Sequence, residues 1–449
     1  MPQLLNFLAR KFSFATSLIT PHRLRSLRIY TARWQRRAIF LIGGIVVGCA
    51  AIVLTVCANA AQEWFQILVT RWRFAAFIVT PLGFALSVYL TNNYFPNSQG
   101  SGIPQAIAAR TLNDHGARGK LVSLRIAIGK ILLTLLGLLC GASVGREGPT
   151  VQVGASIMFA IGRLSPRRQP GLILAGAAAG VAAAFNTPLA GIVFGIEEMS
   201  RAFEVRTSGL IIAGVIAAGL TSLTVFGNYT YFGTTAAALP LGTNWMAVLV
   251  CGVLGGAAGG IFSRILIAVA AGLPGRIGVE IKRHPILFAT GCGLAVALCG
   301  FLSGGTVYGT GYNEVKAALE HGTLLPWHFG ILKFIATALS SISGIPGGLF
   351  SPSLAVGAGL GLNVAPFFPT APLGAIILLG MVSYFAGVVQ APITAFVIVT
   401  EMTNDHVMIV PLMIAALIAY ATSHAICPEG VYHALSKNFL RQHGHSAAH

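Results

Sequence analysis

Acidic residues are scarce in this sequence: Asp and Glu number 12 among 449 residues, against 29 Lys and Arg. Charged residues of both signs make up only 9% of the chain. An ordinary soluble domain carries about a quarter charged residues, so that class is excluded. Cysteine pairing is missing too. Cys49, Cys57, Cys140, Cys251, Cys292, Cys299 and Cys427 form no C-x-x-C or metal-type spacing. Most lie in apolar stretches, as small buried residues do. No H-E-x-x-H motif and no spaced aspartate pair occurs, which leaves an intramembrane metal or aspartyl protease without its catalytic groups. No small-residue cleavage site follows the basic N-terminal run, so no cleavable signal peptide is expected.

What remains is apolar. Hydrophobic residues make up 55% of the chain, mean hydropathy is +0.78, and long apolar segments recur from Ala38 to Cys427. Each is close to the length that crosses a hydrocarbon core about 30 Å thick. The pattern predicts an all-α polytopic protein of the lipid bilayer, because a transmembrane barrel would show short alternating segments. Arg10, Lys11, Arg23, Arg25, Arg28, Arg33, Arg36 and Arg37 precede the first span. Such a run places the N-terminus in the cytoplasm and meets anionic lipid. It supplies eight of the basic residues behind the net charge of +17, and topology and lipid explain it without a nucleic-acid partner. The tail residues His443, His445 and His449 read as a frayed terminus rather than a metal site.

Self-similarity organises the apolar segments. GAAAGVAAAFNTPLAGIVFGIEEM (176–199) aligns without a gap to GMVSYFAGVVQAPITAFVIVTEMT (380–403), pairing Gly176 with Gly380, Pro188 with Pro392 and Glu197 with Glu401. GREGPTVQVGA (145–155) aligns to GLFSPSLAVGA (348–358) at nearly the same offset. GSGIPQA from Gly100 resembles GTGYNEV from Gly309 more weakly. Two related halves follow, 38–226 and 245–427, joined by a loop at 227–244. A basic segment (1–37) precedes them, and a helix with a short tail (428–449) follows. The sequence leaves open whether the repeat is inverted or parallel.

The aligned segments contain helix breaks. Expected helices include 38–60, 104–112, 149–162, 188–203, 352–365 and 429–441, several too short to span alone. Broken helices at membrane depth are tolerated where they line a cavity. Pro104, Pro149 and Pro352 each stand where a helix would open, behind glycines that free the backbone to turn. Three helix N-termini result, each with unpaired N–H groups and partial positive charge. Such groups bind anions without the deep trap a buried lysine makes, as conduction requires.

At GSGIP (100–104), GREGP (145–149), GIPGGLFSP (344–352), NTPLAGIVFGIEEM (186–199) and GVYHAL (430–435) the chain resembles the CLC family of chloride channels and proton-coupled chloride transporters. The motifs agree in order and spacing over almost the whole chain. The resemblance implies two inverted repeats of tilted and broken helices, the CLC chloride channel fold. It implies a homodimer with one anion pathway per subunit, chloride and protons as substrates, no cofactor and no enzymatic activity. It implies chloride-binding hydroxyls on Ser101 and Tyr432. The amides of Leu349 and Phe350 would line a central site, and those around Arg146, Glu147 and Gly148 an outer one. Glu147 would be the gate, a carboxylate that takes the anion's own place until protonated.

Glu198 is expected to carry protons from the other side. Its neighbour Glu197 has a partner in the repeat, Glu401, and is expected to be structural. Glu198 faces Met402, and the resemblance assigns the second acid of the pair to proton transfer. Arg146 either ties its loop to carbonyls or an acid, or draws anions by its field. Lys130 is either paired or raises the potential of the pathway. Phe350 is either core packing or a wall beside the ion. Gln105 departs from the family, where many members carry glutamate, so a salt bridge there is in doubt. The function expected is proton-coupled chloride antiport, with a passive gated channel as the alternative. A fluoride exchanger and nitrate preference are disfavoured by the retained Ser101 motif. The location expected is the plasma (bacterial inner) membrane, multi-pass, with both termini cytoplasmic.

Overall fold

The structure, a computed structural model, describes residues 21–164, 168–200, 205–227, 230–235 and 237–444. Arg10, Lys11, His445 and His449 lie outside the described residues, as do the side chains of the basic residues from Arg23 to Arg37. The first helix, α1 (Pro21–Arg71), runs eleven residues past the predicted end at 60. Gln62 and Glu63 interrupt the apolar pattern there, but no glycine or proline follows to stop the helix.

The rest of the first half is α2 (Ala76–Asn93), α3 (Ile103–Thr111), α4 (His115–Gly119), α5 (Leu124–Leu139), α6 (Glu147–Ile161), α7 (Gln169–Phe185), α8 (Pro188–Phe194) and α9 (Val205–Phe226). α8 continues as a π-helical turn, Gly195–Ser200. The second half is α10 (Met246–Ala271), α11 (Gly275–Arg283), α12 (Pro285–Leu302), α13 (Tyr312–His321), α14 (Phe329–Ile342), α15 (Phe350–Val364), α16 (Leu373–Val389), α17 (Pro392–Thr403) and α18 (Ile409–Ile426). α19 (Val431–Gly444) closes the chain. The short helices α4 and α11 were not anticipated.

The halves correspond in their main helices, and only the short α4 and α11 have no mates among the described residues. α1 packs on α6, α7 and α9; α10 packs on α15, α16 and α18. The aligned glycines are the contact points. A Cβ on Gly154 would lie 2.2 Å from the Gly176 carbonyl, and one on Gly357 would lie 2.5 Å from that of Gly380. Only glycine permits backbones to meet so closely, as at small-residue helix interfaces in membranes. The turns after α7 and α16 also match, with Asn186 at φ 58° and Gln390 at φ 57°. Both residues cap their helices in the left-handed region, which frees the chain to restart at Pro188 and Pro392. Ala38–Arg71, His115–Leu139, Thr243–Ala271, Pro285–Leu302 and Ile409–Ile426 are long and apolar enough to cross a membrane.

One local expectation needs correction. α6 and α15 begin at Glu147 and Phe350, two residues before their prolines. Pro149 and Pro352 therefore sit at the third helical position. That position still lacks an intrahelical partner for its N–H, so proline costs nothing there.

Candidate functional site

The two aligned turns meet head to head at the centre of the fold. Gly145 and Gly348 form an antiparallel bridge, with N–H···O distances of 2.8 Å and 2.6 Å. The antiparallel pairing relates the two turns by a local two-fold axis. α6 and α15 both start beside this bridge. Among the described residues, the amides of Glu147, Gly148, Phe350 and Ser351 donate to no carbonyl. Two positive helix ends thus converge on one buried region.

Glu147 occupies that region and is completely buried. Its Oε1 accepts from the Ser351 hydroxyl at 2.6 Å and from the Tyr231 phenol at 3.3 Å. These two donors lie 3.3 Å apart. Sequence reasoning missed both. Ser351 is the repeat mate of Gly148, and only the structure shows that it reaches across. Tyr231 belongs to the loop between halves, where nothing in the sequence marked it. Aromatic contacts with Phe185, Phe232 and Tyr312 hold its ring.

Arg146 sits beside the carboxylate, its Nε 4.0 Å from Glu147 Oε1. Its Nη1 donates to the Thr55 carbonyl at 3.1 Å and to the Asn59 side chain. The guanidinium ties the turn to α1, which favours the structural reading of this residue. Phe350 is fully buried. It stacks on Phe185 at 6.0 Å and meets Phe194, Phe385 and Tyr432. It is both core and the wall between these rings and the turn.

Ser101 lies on the other side of Gly148: a Cβ on Gly148 would fall 2.4 Å from Ser101 Oγ. Tyr432, at the start of α19, brings its hydroxyl towards Ser101. Neither hydroxyl makes a hydrogen bond of good geometry among the described residues, although the two lie close enough to interact with each other. An anion beside them would accept from both, a stronger pairing than the hydroxyls offer one another. A cavity of about 400 Å³ reaches this point, lined by Gly100, Ser101, Gly347 and Leu349 and by Asn438 and Gln442 of α19.

The turn that carries Ser101 is held from beneath by a lysine. Lys130 Nζ, fully buried, donates to the carbonyls of Ser98 at 2.8 Å and Gly100 at 2.5 Å. In the second half Lys333 donates to Val307 and Gly309 at 2.9 Å and 2.8 Å. Lys333 follows Lys130 by 203 residues, the offset of the GREGP alignment, so the repeat held this pair in plain sight. Gln105 makes no salt bridge in this turn; its amide donates to the Gln99 carbonyl at 2.7 Å.

The acids of the GIEEM segment separate by role. Glu197 accepts from the amides of Ile393 (3.1 Å) and Thr394 (2.6 Å), at the first turn of α17. Glu401 accepts from Leu189 (3.1 Å) and Ala190 (2.6 Å), at the first turn of α8. Each half thus caps the other's broken helix, and the shared acid is structural. Glu198 instead lies in the π turn, 3% exposed. That turn is absent from its mate α17, and such insertions mark functional positions. His433 Nε2 stands 2.9 Å from the Glu198 carbonyl oxygen and 3.6 Å from its Oε1. Arg110 braces the same turn through Met199 and Ser200. Tyr432 lies within electrostatic reach of both Glu198 and Glu147.

The string GASVG (141–145) has the G-x-S-x-G spacing of a hydrolase nucleophile. Its Ser143 is buried against Thr337 at 2.9 Å, so here the spacing serves packing.

The voltage gated chloride channel family model matches residues 83–424. The H(+)/Cl(−) exchange transporter ClcA of Yersinia pseudotuberculosis is 33% identical, over 88% of this chain and 86% of its own length. The transporter of that name from Salmonella arizonae is 30% identical over 97% and 96%. A slow cyanobacterial Cl−/H+ antiporter has a similar structure, with TM-score 0.78 and 25% identity over 91% of this chain and 98% of that one. A CLC-type fluoride/proton antiporter shares the fold at TM-score 0.76 and 23% identity. With its head-to-head turns and a family match across most of its length, this chain belongs to the voltage-gated chloride channel (CLC) family.

Proposed function

We propose that this protein exchanges chloride for protons across the membrane, with Glu147 as the gate and Glu198 as the second proton carrier. The observation that carries this reading is the buried Glu147 carboxylate at the meeting of α6 and α15. It occupies a position where two helix N-termini favour negative charge, which is also where an anion would bind. Ser101 and Tyr432 hold chloride on the cavity side, and the amides of Leu349 and Phe350 complete that site. The amides of Arg146, Glu147 and Gly148 receive chloride when the gate leaves. A proton on Glu147 removes the charge that holds it there, so anion passage and proton binding alternate at one place. Charge moves on chloride and protons alone, with no metal or cofactor.

The N-terminal arginines support a cytoplasmic N-terminus, and we take the C-terminus to lie on the same side, in a plasma or bacterial inner membrane. The 400 Å³ cavity beside α19 then opens to the cytoplasm. Two copies would meet through the exposed apolar residues of α9 and α18, among them Ile216, Leu220, Val410 and Leu417, with one pathway in each.

The reading is tested in proteoliposomes. A chloride gradient should drive protons in the opposite direction, uphill. Chloride flux without uphill proton movement would make the protein a passive channel instead. Fluoride and nitrate in place of chloride report selectivity in the same assay.

The gate has a holding geometry that can be weakened. Hydrogen bonds to a charged group contribute about 1.5–3 kcal/mol each, and 1.4 kcal/mol is tenfold in an equilibrium. The double variant Ser351→Ala, Tyr231→Phe should therefore raise chloride flux at neutral pH by about tenfold or more. Unchanged flux would mean that these hydroxyls do not restrain the gate.

A further inference from the structure

Glu198 has to gain and lose protons while 3% exposed, and the structure places a second titratable group against it. We propose that His433 is the proton-carrying residue that loads and unloads Glu198. The inference rests on the antiport reading of this site and adds the route by which protons reach it.

Tyr432 and His433 are consecutive in the first turn of α19, so their side chains leave the helix about 100° apart. Tyr432 turns to Ser101 and Phe350; His433 turns to Glu198. One helical turn thereby serves the anion with one residue and the proton with the next. The His433 side chain is 18% exposed, against 4% for that of Glu198, so the imidazole is the more accessible of the two groups. A donating Nε2–H holds the ring to the Glu198 carbonyl at 2.9 Å. The same nitrogen lies 3.6 Å from Oε1, and the carboxylate needs to close by roughly 0.7 Å for an ordinary hydrogen bond.

Among the described residues, the other charged group bonded to this turn is Arg110 of α3, through Met199 and Ser200. A guanidinium stays protonated and cannot relay. Imidazole titrates near neutrality, and both of its states are accessible to a transporter. In the loading step the Nε2–H bond of the imidazolium breaks and an O–H bond forms at Oε1. The positive and negative charges cancel, leaving neutral imidazole with its hydrogen on Nδ1 and a neutral carboxylic acid. A hydronium ion from the aqueous side then gives its proton to Nε2 and leaves as water, which restores the imidazolium. Unloading reverses these steps.

The test compares ion fluxes of the full-length protein in proteoliposomes. His433→Gln keeps a side-chain N–H donor for the Glu198 carbonyl but has no proton to exchange. Chloride-driven proton flux should fall about tenfold, with chloride flux within twofold of the original. His433→Glu, which restores a titratable group of similar reach, should recover proton flux that the glutamine variant lacks. His433→Asn provides the same comparison if glutamine destabilises α19. Equal loss of both ions, or undiminished proton flux in the glutamine variant, overturns the role of His433 and leaves antiport standing. Absence of proton movement in the unmodified protein overturns both.

Discussion

Glu198→Gln should stop proton movement, by at least about a hundredfold, while chloride flux stays within a fewfold of the unmodified protein. The substitution keeps shape and hydrogen bonding and removes the exchangeable proton. On the proposed reading chloride has no need of Glu198, because the donors assigned to it are Ser101, Tyr432 and the amides at α6 and α15. Proton flux that survives in this variant would remove Glu198 from the mechanism. Its neighbour supplies the contrast. Glu197 caps the N-terminus of α17 from the opposite half, an interaction contributing up to about 2 kcal/mol when partly buried. Glu197→Ala should lower thermal stability by that order and leave the ratio of protons to chloride unchanged. Two adjacent acids then separate cleanly, one into stability and the other into transport.

That division shows how far the sequence could be read. The repeat was legible because it is built on glycines and prolines, whose reasons are local. Gly154 and Gly176 face each other where backbones touch, and so do Gly357 and Gly380. Asn186 and Gln390 make the same left-handed cap. The repeat also marked Glu197 as structural, since an acid present in both halves answers a need both halves have. Helix starts were read two residues late at Pro149 and Pro352, because proline is allowed anywhere in the first turn, not only at its first position.

What escaped were contacts that cross between halves without obeying the repeat. Ser351 reaches Glu147 from the position where the first half has Gly148. Tyr231 arrives from the connecting loop, which has no mate at all. The π turn at Gly195–Ser200 is one residue of extra winding, and no composition signal distinguishes it from the regular α17. His433 lay inside a motif quoted for its neighbour. Ser351, Tyr231 and the π turn depart from the symmetry of the halves, and a search for repeats does not find them.

Glu147→Gln tests the most consequential departure from that symmetry. Phe350, its mate, shows that the turn folds without an acid, so the variant should fold. Glutamine has the reach of glutamate but no charge. It is not drawn to the two helix N-termini as a carboxylate is, and chloride becomes the only anion available to them. Chloride flux should therefore rise and become insensitive to pH between about 4 and 8, where carboxyl groups and histidines in proteins titrate. The unmodified protein should instead conduct faster as pH falls, because protonation releases the gate. Proton transport should disappear, because no group at this position can carry the proton past the chloride. Flux that still rises on acidification in Glu147→Gln would place the gate on another titratable group, with Glu198 the next to examine. A pH-independent variant that still pumped protons would be worse for the mechanism. It would separate proton and chloride pathways, and the shared position of carboxylate and anion would lose its purpose.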